Sequence, residues 1–479
     1  MKELNKTTAS KPRLPVKVLQ FGEGNFLRAF VDWMIDKANE RGVMRHGVVI
    51  VQPIEKGMAG ALNRQDCLYH VYLEGVRERK PVKDIRLVSC VQEAVDPYAD
   101  YARYEEFFLS PDLEITVSNT TEAGIRYEEG EDIFACPPAS YPGKMTALLY
   151  KRFNHFNGAP GRGLTVICCE LIENNGSTLR EYVLRHARAN RLGEEFTRWV
   201  TDHCRFCDTL VDRIVTGFPR ESIDEVKAEL GFDDNLVVKA EYYHLWVIGG
   251  AGGEELRAAF PLDRAGLHVL FMPDIKSFRD RKVRVLNGSH TAMVPVGLQM
   301  GCDTVMSAIG NPLVERYVNT LVEREVLPVI DGDREELEGF AAGILERFYN
   351  PYIRHALGAI ALNSLSKWET RNFPTVLDNH VKAGKVAACS LFSLAALLVL
   401  YSGRAAVPFT PNDTADHVEF IRQHWDNNDL ERSVREIVEN TRIWTVPLTA
   451  VPALAPTVAG FAREILEDGM EVALTRLLQ

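Results

Sequence analysis

Three side chains that could move a proton and hold an oxygen atom lie close together late in the sequence. Lys282, Asn287 and His290 bring an amine, an amide and an imidazole into nine residues. An amine can exchange a proton with an oxygen whose charge changes during a reaction, and amide or imidazole N–H groups can stabilise that oxygen. On an α-helix they would fall at about 0°, 140° and 80° around the axis, so all three could border one side of a cleft.

The same spacing also fits a structural interpretation. A solvated lysine, an Asn-Gly kink and a capping histidine would produce it equally. An Asn-Gly pair inside an apolar helix is costly, however, which favours a functional reason for keeping Asn287 and Gly288 there.

A glycine-rich turn near the N-terminus has the residue types of a phosphate-binding loop. Gly22 and Gly24 follow an apolar run, residues 16–21, and precede a stretch with apolar residues at three- and four-residue steps. Glycines let the backbone bend and approach a pyrophosphate, and the amides of the following helix can bind its charge. Leu27 replaces the third glycine of the usual fingerprint, and a plain turn can have this sequence. The prediction of a dinucleotide site therefore depends on the flanking strand and helix.

The end of the second predicted strand indicates which dinucleotide would bind. An acidic residue usually stands there and binds the adenosine ribose. Here Gln52 is near that place and Glu55 follows shortly after, with no arginine to favour a 2′-phosphate. The sequence therefore favours NAD over NADP. The residues predicted to bind the cofactor are Leu19, Gln20, Phe21, Gly22, Glu23, Gly24, Asn25, Phe26, Leu27, Arg28, Ala29, Gln52, Thr121 and Glu122.

The order of apolar segments predicts an N-terminal α/β domain. Strands are predicted at 16–21, 47–52, 85–91, 114–118 and 164–169, with helices between them, one of them at 144–153. Strands that alternate with helices form a mostly parallel sheet covered on both faces, and ligands bind at the C-terminal ends of its strands. We therefore expect the polar loops around Gly22, Glu122 and Asn175 to converge.

The second half of the chain predicts helices instead. Helical patterns occupy 281–298, 313–326, 334–348, 386–401, 415–425, 429–439 and 458–478. The predicted fold class is α/β plus mostly α. A Rossmann-type domain with a parallel sheet would span residues 1–275, and a mostly helical substrate-binding domain would span 276–479. We expect the site in the cleft between the two domains.

Composition narrows the class of protein. Hydrophobic residues at 46% and charged residues at 25% are typical of a soluble globular chain, and a net charge of −11 disfavours nucleic-acid and anionic-membrane partners. The polar N-terminus and the short apolar segment 386–401 predict neither a signal peptide nor a membrane span. Nine scattered cysteines fit a reducing cytoplasm. Cys204 and Cys207 form a lone CxxC, which is weak evidence for a metal.

Lys282, Asn287 and His290 resemble the signature of the mannitol dehydrogenase family, the polyol-specific long-chain dehydrogenases and reductases. In that signature an asparagine follows the lysine by five residues and a histidine follows by three more, as in Lys282, Asn287 and His290. Longer segments are similar to a uronate-reducing branch of the family: residues 20–33, 118–125, 210–217, 350–354 and 361–367.

The resemblance implies a Rossmann-type domain followed by a helical domain, with NAD(H) as cofactor and no catalytic metal. It implies reversible reduction of D-tagaturonate to D-altronate, a reaction of hexuronate (galacturonate) catabolism. Lys282 would be the general acid and base, and Asn287 and His290 would bind the reacting oxygen. Lys367 matches a family lysine that contacts substrate, and Asn175 and Asp212 fall near family positions that line the site.

One departure from the family pattern concerns substrate charge. Mannitol-type members carry an arginine eight residues before the lysine that corresponds to Lys367, whereas this chain has Ala359. A uronate still needs a cation for its carboxylate, preferably a bidentate one. Arg354, Lys367 and Arg371 are the candidates, although each could equally be an ordinary surface charge.

Two alternatives remain open. A sister enzyme that acts on D-fructuronate or on a mannitol-type polyol would share the catalytic residues, and Ala359 counts against the polyol. A non-catalytic sensor of a dinucleotide would keep the glycine turn, but it would have no use for Lys282, Asn287 and His290 together.

Overall fold

The computed structural model describes residues 1–78, 80–120, 124–250 and 253–479. The chain divides into two compact units: Met1–Gly75 with Val82–Ile275, and Val76–Pro81 with Lys276–Gln479. The first unit is built around β-sheets, and the second is built from helices.

The strands of the described residues form sheets of two, three, four and six strands. In chain order they are β1 (Lys2–Glu3), β2 (Val16–Phe21), β3 (Gly47–Val51), β4 (Tyr69–Arg77), β5 (Lys80–Val88), β6 (Val91–Val95), β7 (Ile115–Ser118), β8 (Thr165–Cys168), β9 (Arg205–Cys207), β10 (Thr209–Asp212), β11 (Val215–Gly217), β12 (Phe232–Asp233), β13 (Val238–Glu241), β14 (Leu245–Gly249) and β15 (Val269–Met272).

The six-stranded sheet is parallel throughout and has the order β6-β3-β2-β7-β8-β9. Numbered by their own succession along the chain, its strands run 3-2-1-4-5-6, which is the Rossmann order. The predicted Rossmann-type parallel sheet is therefore confirmed. The strand order reverses between β2 and β7, and the crevice at the C-terminal ends of those two strands is where such sheets bind ligands.

Helices cover both faces of this sheet. The α-helices of the first unit are, in chain order, α1 (Asn25–Leu27), α2 (Trp33–Glu40), α3 (Ala59–Arg64), α4 (Tyr101–Phe108), α5 (Tyr141–His155), α6 (Asn175–Ala189), α7 (Glu194–His203), α8 (Ile223–Leu230) and α9 (Gly253–Ala259). Neighbouring residues of one strand enter different cores: Val48 and Ile50 pack into one, whereas Val49 and Val51 pack into the other. This two-sided burial explains why β3 is apolar at every position.

The strand predicted at 85–91 was wrong. Its first part ends β5 in the four-stranded sheet, and its last residue begins β6 in the parallel sheet. The break has a local cause, because the Asp36 carboxylate accepts hydrogen bonds from the backbone amides of Ser89 (2.7 Å) and Cys90 (3.0 Å). Amides held by a helix side chain cannot join a strand ladder.

The second unit is helical, as predicted. Its α-helices are α10 (Lys276–Lys282), α11 (Ser289–Gln299), α12 (Val305–Ile309), α13 (Pro312–Leu321), α14 (Arg334–Glu346), α15 (Leu357–Ile360), α16 (Ser364–Arg371), α17 (Phe373–Ala383), α18 (Ala388–Ser402), α19 (Ala415–His424), α20 (Leu430–Val438), α21 (Leu454–Asp468) and α22 (Met470–Leu477). Two π-helical stretches, Val283–Gly288 and Val322–Val326, interrupt this series.

The apolar pattern of the sequence predicted one helix of this unit correctly and merged two others into one. The segment predicted at 386–401 is α18, whose residues are almost all buried, so the expectation of a buried helix is confirmed. The helix predicted at 458–478 is instead two helices, because Gly469 at φ +84° ends the regular backbone between α21 and α22. Within the described part of the chain, every helix falls short of the length and apolarity needed to cross a bilayer.

Candidate active site

The glycine turn lies at the point where the strand order of the parallel sheet reverses. Gly22 follows β2 with φ +127°, and its N–H donates to the Val51 carbonyl at 3.0 Å. A Cβ on Gly22 would come within 3.0 Å of the Asn119 carbonyl, just after β7. Only glycine combines this backbone angle with so close an approach.

The turn has room for a phosphate. Gly24 precedes the helical run that begins at Asn25, and no described side chain caps its amides. Nothing lies within 4 Å of the place where a Cβ on Gly24 would be. Backbone amides at a helix start, with open space before them, fit the pyrophosphate of a dinucleotide.

Several residues predicted to bind the cofactor pack into the hydrophobic cores next to the turn. Leu19, Phe21, Leu27 and Ala29 are buried in the two cores, and Phe26 stacks on Phe30 at 5.0 Å. Thr121 and Glu122 lie outside the described residues.

Arg28 braces the turn instead of facing solvent. Its buried guanidinium donates to the carbonyls of Glu23 (3.1 Å) and Leu236 (2.6 Å) and to Oδ1 of Asn25 (2.8 Å). Burial lowers the pKa of Arg28 from its ordinary value. The side chain therefore ties the start of the helix to the Leu236 backbone.

A buried carboxyl group lies under the same turn. Asp32 Oδ2 accepts from the Tyr69 hydroxyl at 2.7 Å and from Gln20 Nε2 at 3.3 Å, and the same Gln20 nitrogen also donates to the Gly22 carbonyl at 3.1 Å. Burial raises the pKa of Asp32 to about 7, while Tyr69, Gln20 and Arg28 oppose that rise and Asp36 adds to it.

Asp32 should make the stability of the fold depend on pH. Because its folded pKa lies above its unfolded value, its contribution to the unfolding free energy should fall as pH rises from about 4 to about 7. Asp32→Asn lacks this contribution, since nothing at that position titrates, so the melting temperature of wild type should fall relative to that of the variant as pH rises across this window. Thermal melts at about pH 4 and about pH 7 check this, with exposed Asp416→Asn as control. Equal slopes in wild type and Asp32→Asn would contradict it.

Glu170 and Asn175 organise the ends of β7 and β8. Glu170 is buried and accepts from Thr120 N (2.9 Å), Thr120 Oγ1 (3.0 Å) and Ser118 Oγ (3.1 Å). Asn175 is fully buried, and its Nδ2 donates to the carbonyls of Cys168 and Glu170 at 3.0 and 2.9 Å. Sequence reasoning missed Glu170, although its position at the end of a predicted strand was a signal.

Asn175 and Asp212, the two substrate-binding candidates in the first unit, differ in their surroundings. Asn175 Oδ1 accepts from the Gly176 and Thr209 amides, both at 2.9 Å, so its amide is occupied by backbone groups. Asp212 is buried at the end of β10, next to the buried Arg213. A substrate-binding role for either stays a prediction.

The lone CxxC pair has no exposed thiol. Cys204 and Cys207 are both buried free cysteines, and burial raises the pKa of each thiol to about 12. Both are therefore protonated near neutral pH and act as apolar packing groups.

Lys282, Asn287 and His290 lie on a helix whose middle turn is widened. α10 ends at Lys282, residues 283–288 form a π turn, and α11 begins at Ser289. Backbone hydrogen bonds in a π turn join residues five apart, so Lys282 and Asn287 come to the same side. Regular α-helical geometry would separate them by about 140°. Asn287 and His290, three apart, are neighbours on the helix surface.

The structure thus brings the three predicted side chains onto one helix face, in an arrangement that differs from the expected regular helix. All three are half-buried. Single π turns are frequent at functional sites, where they change the direction of side chains.

His290 is held by aromatic contacts. Its ring stacks on Phe348 at 4.2 Å and meets His355 edge-on at 5.3 Å. Burial holds the pKa of His290 well below its ordinary value, and His355, Arg347 and Arg371 add to the effect. The imidazole is therefore neutral near pH 7 and can donate from one nitrogen. Sequence reasoning missed Phe348 and His355, although residues 350–354, which resemble the uronate-reducing branch of the family, lie between them.

The three candidate cations for a carboxylate have different environments. Arg354 has a side chain that is 85% exposed, 3.6 Å from the Asp303 carboxylate. Arg371 is half-buried, and its Nη1 donates to Thr291 Oγ1 at 3.2 Å, one residue beyond His290. Lys367 lies one turn earlier on α16 and donates to the Ile360 carbonyl at 2.9 Å. Burial and then the neighbouring Arg371 lower the pKa of Lys367.

Comparisons with known proteins agree with this architecture. Residues 16–258 match the Mannitol dehydrogenase Rossmann domain, and residues 274–466 match the Mannitol dehydrogenase C-terminal domain. The chain is 41% and 42% identical to proteins named altronate oxidoreductase from two strains of Escherichia coli, over the full length of each chain.

Two solved structures share the fold. A substrate-free D-sorbitol dehydrogenase has a TM-score of 0.82 at 21% identity, covering 99% of this chain and 100% of that one. A Pseudomonas fluorescens mannitol 2-dehydrogenase, in ternary complex with NAD and D-mannitol, has a TM-score of 0.68 at 20% identity and covers 99% of both chains. On the two domain matches and the full-length identity, the chain belongs to the mannitol dehydrogenase family.

Proposed function

We propose that this protein is an NAD(H)-dependent oxidoreductase that interconverts D-tagaturonate and D-altronate in hexuronate catabolism. The observation that carries the proposal is the π turn at 283–288, which puts Lys282, Asn287 and His290 on one face of a helix. The full-length relatives named altronate oxidoreductase support the choice of substrate.

The proposed chemistry needs a proton and two hydrogen-bond donors. When bound, NADH supplies the hydride that reduces the ketone. Lys282 as an ammonium then gives its proton to the oxygen, and in the reverse direction the neutral amine takes the alcohol proton. Asn287 and the neutral His290 donate hydrogen bonds to the same oxygen or to a neighbouring hydroxyl, which stabilises developing negative charge.

The dinucleotide is assigned to the first unit. The glycine turn at Gly22 and Gly24 would hold the pyrophosphate at the start of the helix, and the reversal of strand order fits a nucleotide site. We propose that residues 1–275 form the cofactor-binding domain and residues 276–479 the catalytic domain, and that NAD is preferred over NADP.

Arg371, assisted by Lys367, is the proposed partner of the substrate carboxylate. Arg371 bonds to Thr291 beside His290, and both cations lie on α16, four residues apart. Arg347 and Arg371 both act on His290, and their positive charges would attract an anionic substrate. Arg354 is too exposed to contribute comparably.

We also propose that the protein works in a reducing compartment, the cytoplasm. Its nine cysteines are free thiols in the structure, and seven of them are buried. Small uronates and aldonates are its proposed partners.

A substrate panel tests the function. NADH absorbance at ~340 nm should fall with D-tagaturonate, and more slowly with D-fructuronate and D-fructose; we expect kcat/KM to be at least about 100-fold higher for D-tagaturonate than for the neutral ketose, because the carboxylate pairs with a cation. A preference for D-fructuronate would transfer the proposal to the sister reaction. Tight NADH binding without turnover of any of the three would overturn it.

A further inference from the structure

Glu23 is the residue between the two glycines of the turn, Gly22 and Gly24. Its Oε1 accepts from the Met58 backbone amide at 3.2 Å, so the side chain reaches the loop that follows β3. A Cβ on Gly57 would come within 2.2 Å of the same oxygen and 2.5 Å of the Gln52 side chain. This loop therefore closes tightly around Glu23, and only a glycine at position 57 permits it.

The second oxygen of Glu23 has no such anchor. The residue is 8% exposed, and Oε2 is buried without a hydrogen-bond partner among the described residues. Arg28 is the nearby cation, but its guanidinium is bonded to two carbonyls and to Asn25. Asp96 is the other charged neighbour and has the same sign as Glu23. A buried acceptor left unpaired is costly, and a hydroxyl donated by a bound ligand would remove that cost.

The Glu23 carboxylate lies near the end of the second strand of the parallel sheet, where dinucleotide sites usually have an acidic residue. In Rossmann-type domains an acidic residue at the end of the second strand binds the adenosine ribose hydroxyls. Here that strand is β3, and the residue that follows it is Gln52, whose side-chain amide already makes hydrogen bonds within its own loop. Gln52 Nε2 donates to the carbonyls of Ile54 and Glu55, and its Oε1 accepts from the Ala59 amide at 3.2 Å. Glu55 itself is exposed.

We propose that Glu23 takes over this role: its free carboxylate oxygen accepts the adenosine ribose hydroxyls of NAD(H) and repels the 2′-phosphate of NADP(H). The inference rests on the dinucleotide-binding part of the proposed function. Glu23 reaches the ribose position from the glycine turn, whereas the usual acid reaches it from the strand end. Cofactor selectivity is then set within the turn that also binds the pyrophosphate.

Equilibrium binding of NADH and NADPH, measured by calorimetry without any sugar substrate, tests the proposal. Glu23→Gln should weaken NADH binding about 10- to 100-fold, as for a lost hydrogen bond to a charged group. It should leave NADPH binding unchanged or tighter, so that the preference for NADH shrinks. Glu55→Gln, in the exposed acid of the same loop, should change neither.

Three outcomes would overturn the proposal that Glu23 binds the adenosine ribose. They are equal weakening of NADH and NADPH in Glu23→Gln, unchanged binding of both, or a loss of NADH preference in Glu55→Gln. Melting temperatures confirm that the variants are folded, and Glu23→Asp, which keeps a carboxylate, provides a second variant that should retain the preference for NADH. A wild type that binds NADH tightly but does not reduce D-tagaturonate would refute the proposed reaction alone; one that binds neither dinucleotide would refute the cofactor assignment as well.

Discussion

Lys282→Ala should lower kcat for D-tagaturonate reduction by about three powers of ten, because positioned general acids contribute ~10²- to 10⁴-fold. Without the ammonium, the oxygen would have to take its proton from water. NADH affinity should be unchanged, since the dinucleotide is assigned to the glycine turn of the first unit. Steady-state kinetics together with NADH titration separate these two effects.

The matched control is Lys276→Ala, in an exposed lysine at the start of the same helix. It should keep wild-type kcat. Added alkylammonium ions should partly restore the Lys282→Ala enzyme, since a small amine can occupy the vacated space and donate a proton. Wild-type turnover by Lys282→Ala would remove this residue from the mechanism.

Arg371→Leu should lower kcat/KM for D-tagaturonate by about 100-fold, mostly through KM, because the loss of a charge-assisted hydrogen bond to a carboxylate weakens binding by this order. Turnover of a neutral ketose, however slow, should be unchanged, since it has no carboxylate to lose. The variant therefore measures recognition of substrate charge separately from catalysis.

Arg354→Leu is the matched control, because Arg354 is a candidate from the same sequence argument but is 85% exposed. It should behave as wild type. Arg371→Lys should recover part of the loss, since it keeps the charge but not the bidentate geometry. Equal losses on the uronate and on the neutral ketose in Arg371→Leu would instead indicate that Arg371 supports His290 and Thr291 structurally.

The parallel sheet could be predicted from the sequence because burial on two faces leaves a plain signal. β3 is apolar at all its positions, and the turn after β2 has glycines where the backbone needs them. The shorter strands outside that sheet gave no comparable signal. β13 and β14 are four and five residues long and lie in sheets of mixed direction. Runs so short fit several structures equally.

Side chains that bond to distant backbone explain other errors. The strand predicted through Ser89 and Cys90 fails because Asp36, more than 50 residues earlier, accepts from both amides. Such a bond depends on tertiary structure and has no local pattern. The same holds for Arg28, whose bond to the Leu236 carbonyl joins residues 208 apart in sequence.

The catalytic candidates were recognised by type and spacing, but their arrangement was not. Regular helical geometry put Asn287 about 140° from Lys282, and the π turn removes that separation. Gln52 stands near the place where an acidic residue usually binds the ribose, but its amide is engaged by its own loop, whereas Glu23 has a buried carboxylate oxygen without a hydrogen-bond partner among the described residues. Neither the π turn nor the contacts of Gln52 and Glu23 can be predicted from the sequence alone, because both depend on the geometry of the folded backbone.

The most direct test of the central claim follows the product of a single turnover with NADH deuterated at the transferable position of its nicotinamide ring. We expect D-tagaturonate to become D-altronate with deuterium on the former ketone carbon, and Lys282→Ala to make the same labelled product far more slowly. A different aldonate as the main product, a product without the label, or an equally fast Lys282→Ala enzyme would contradict it.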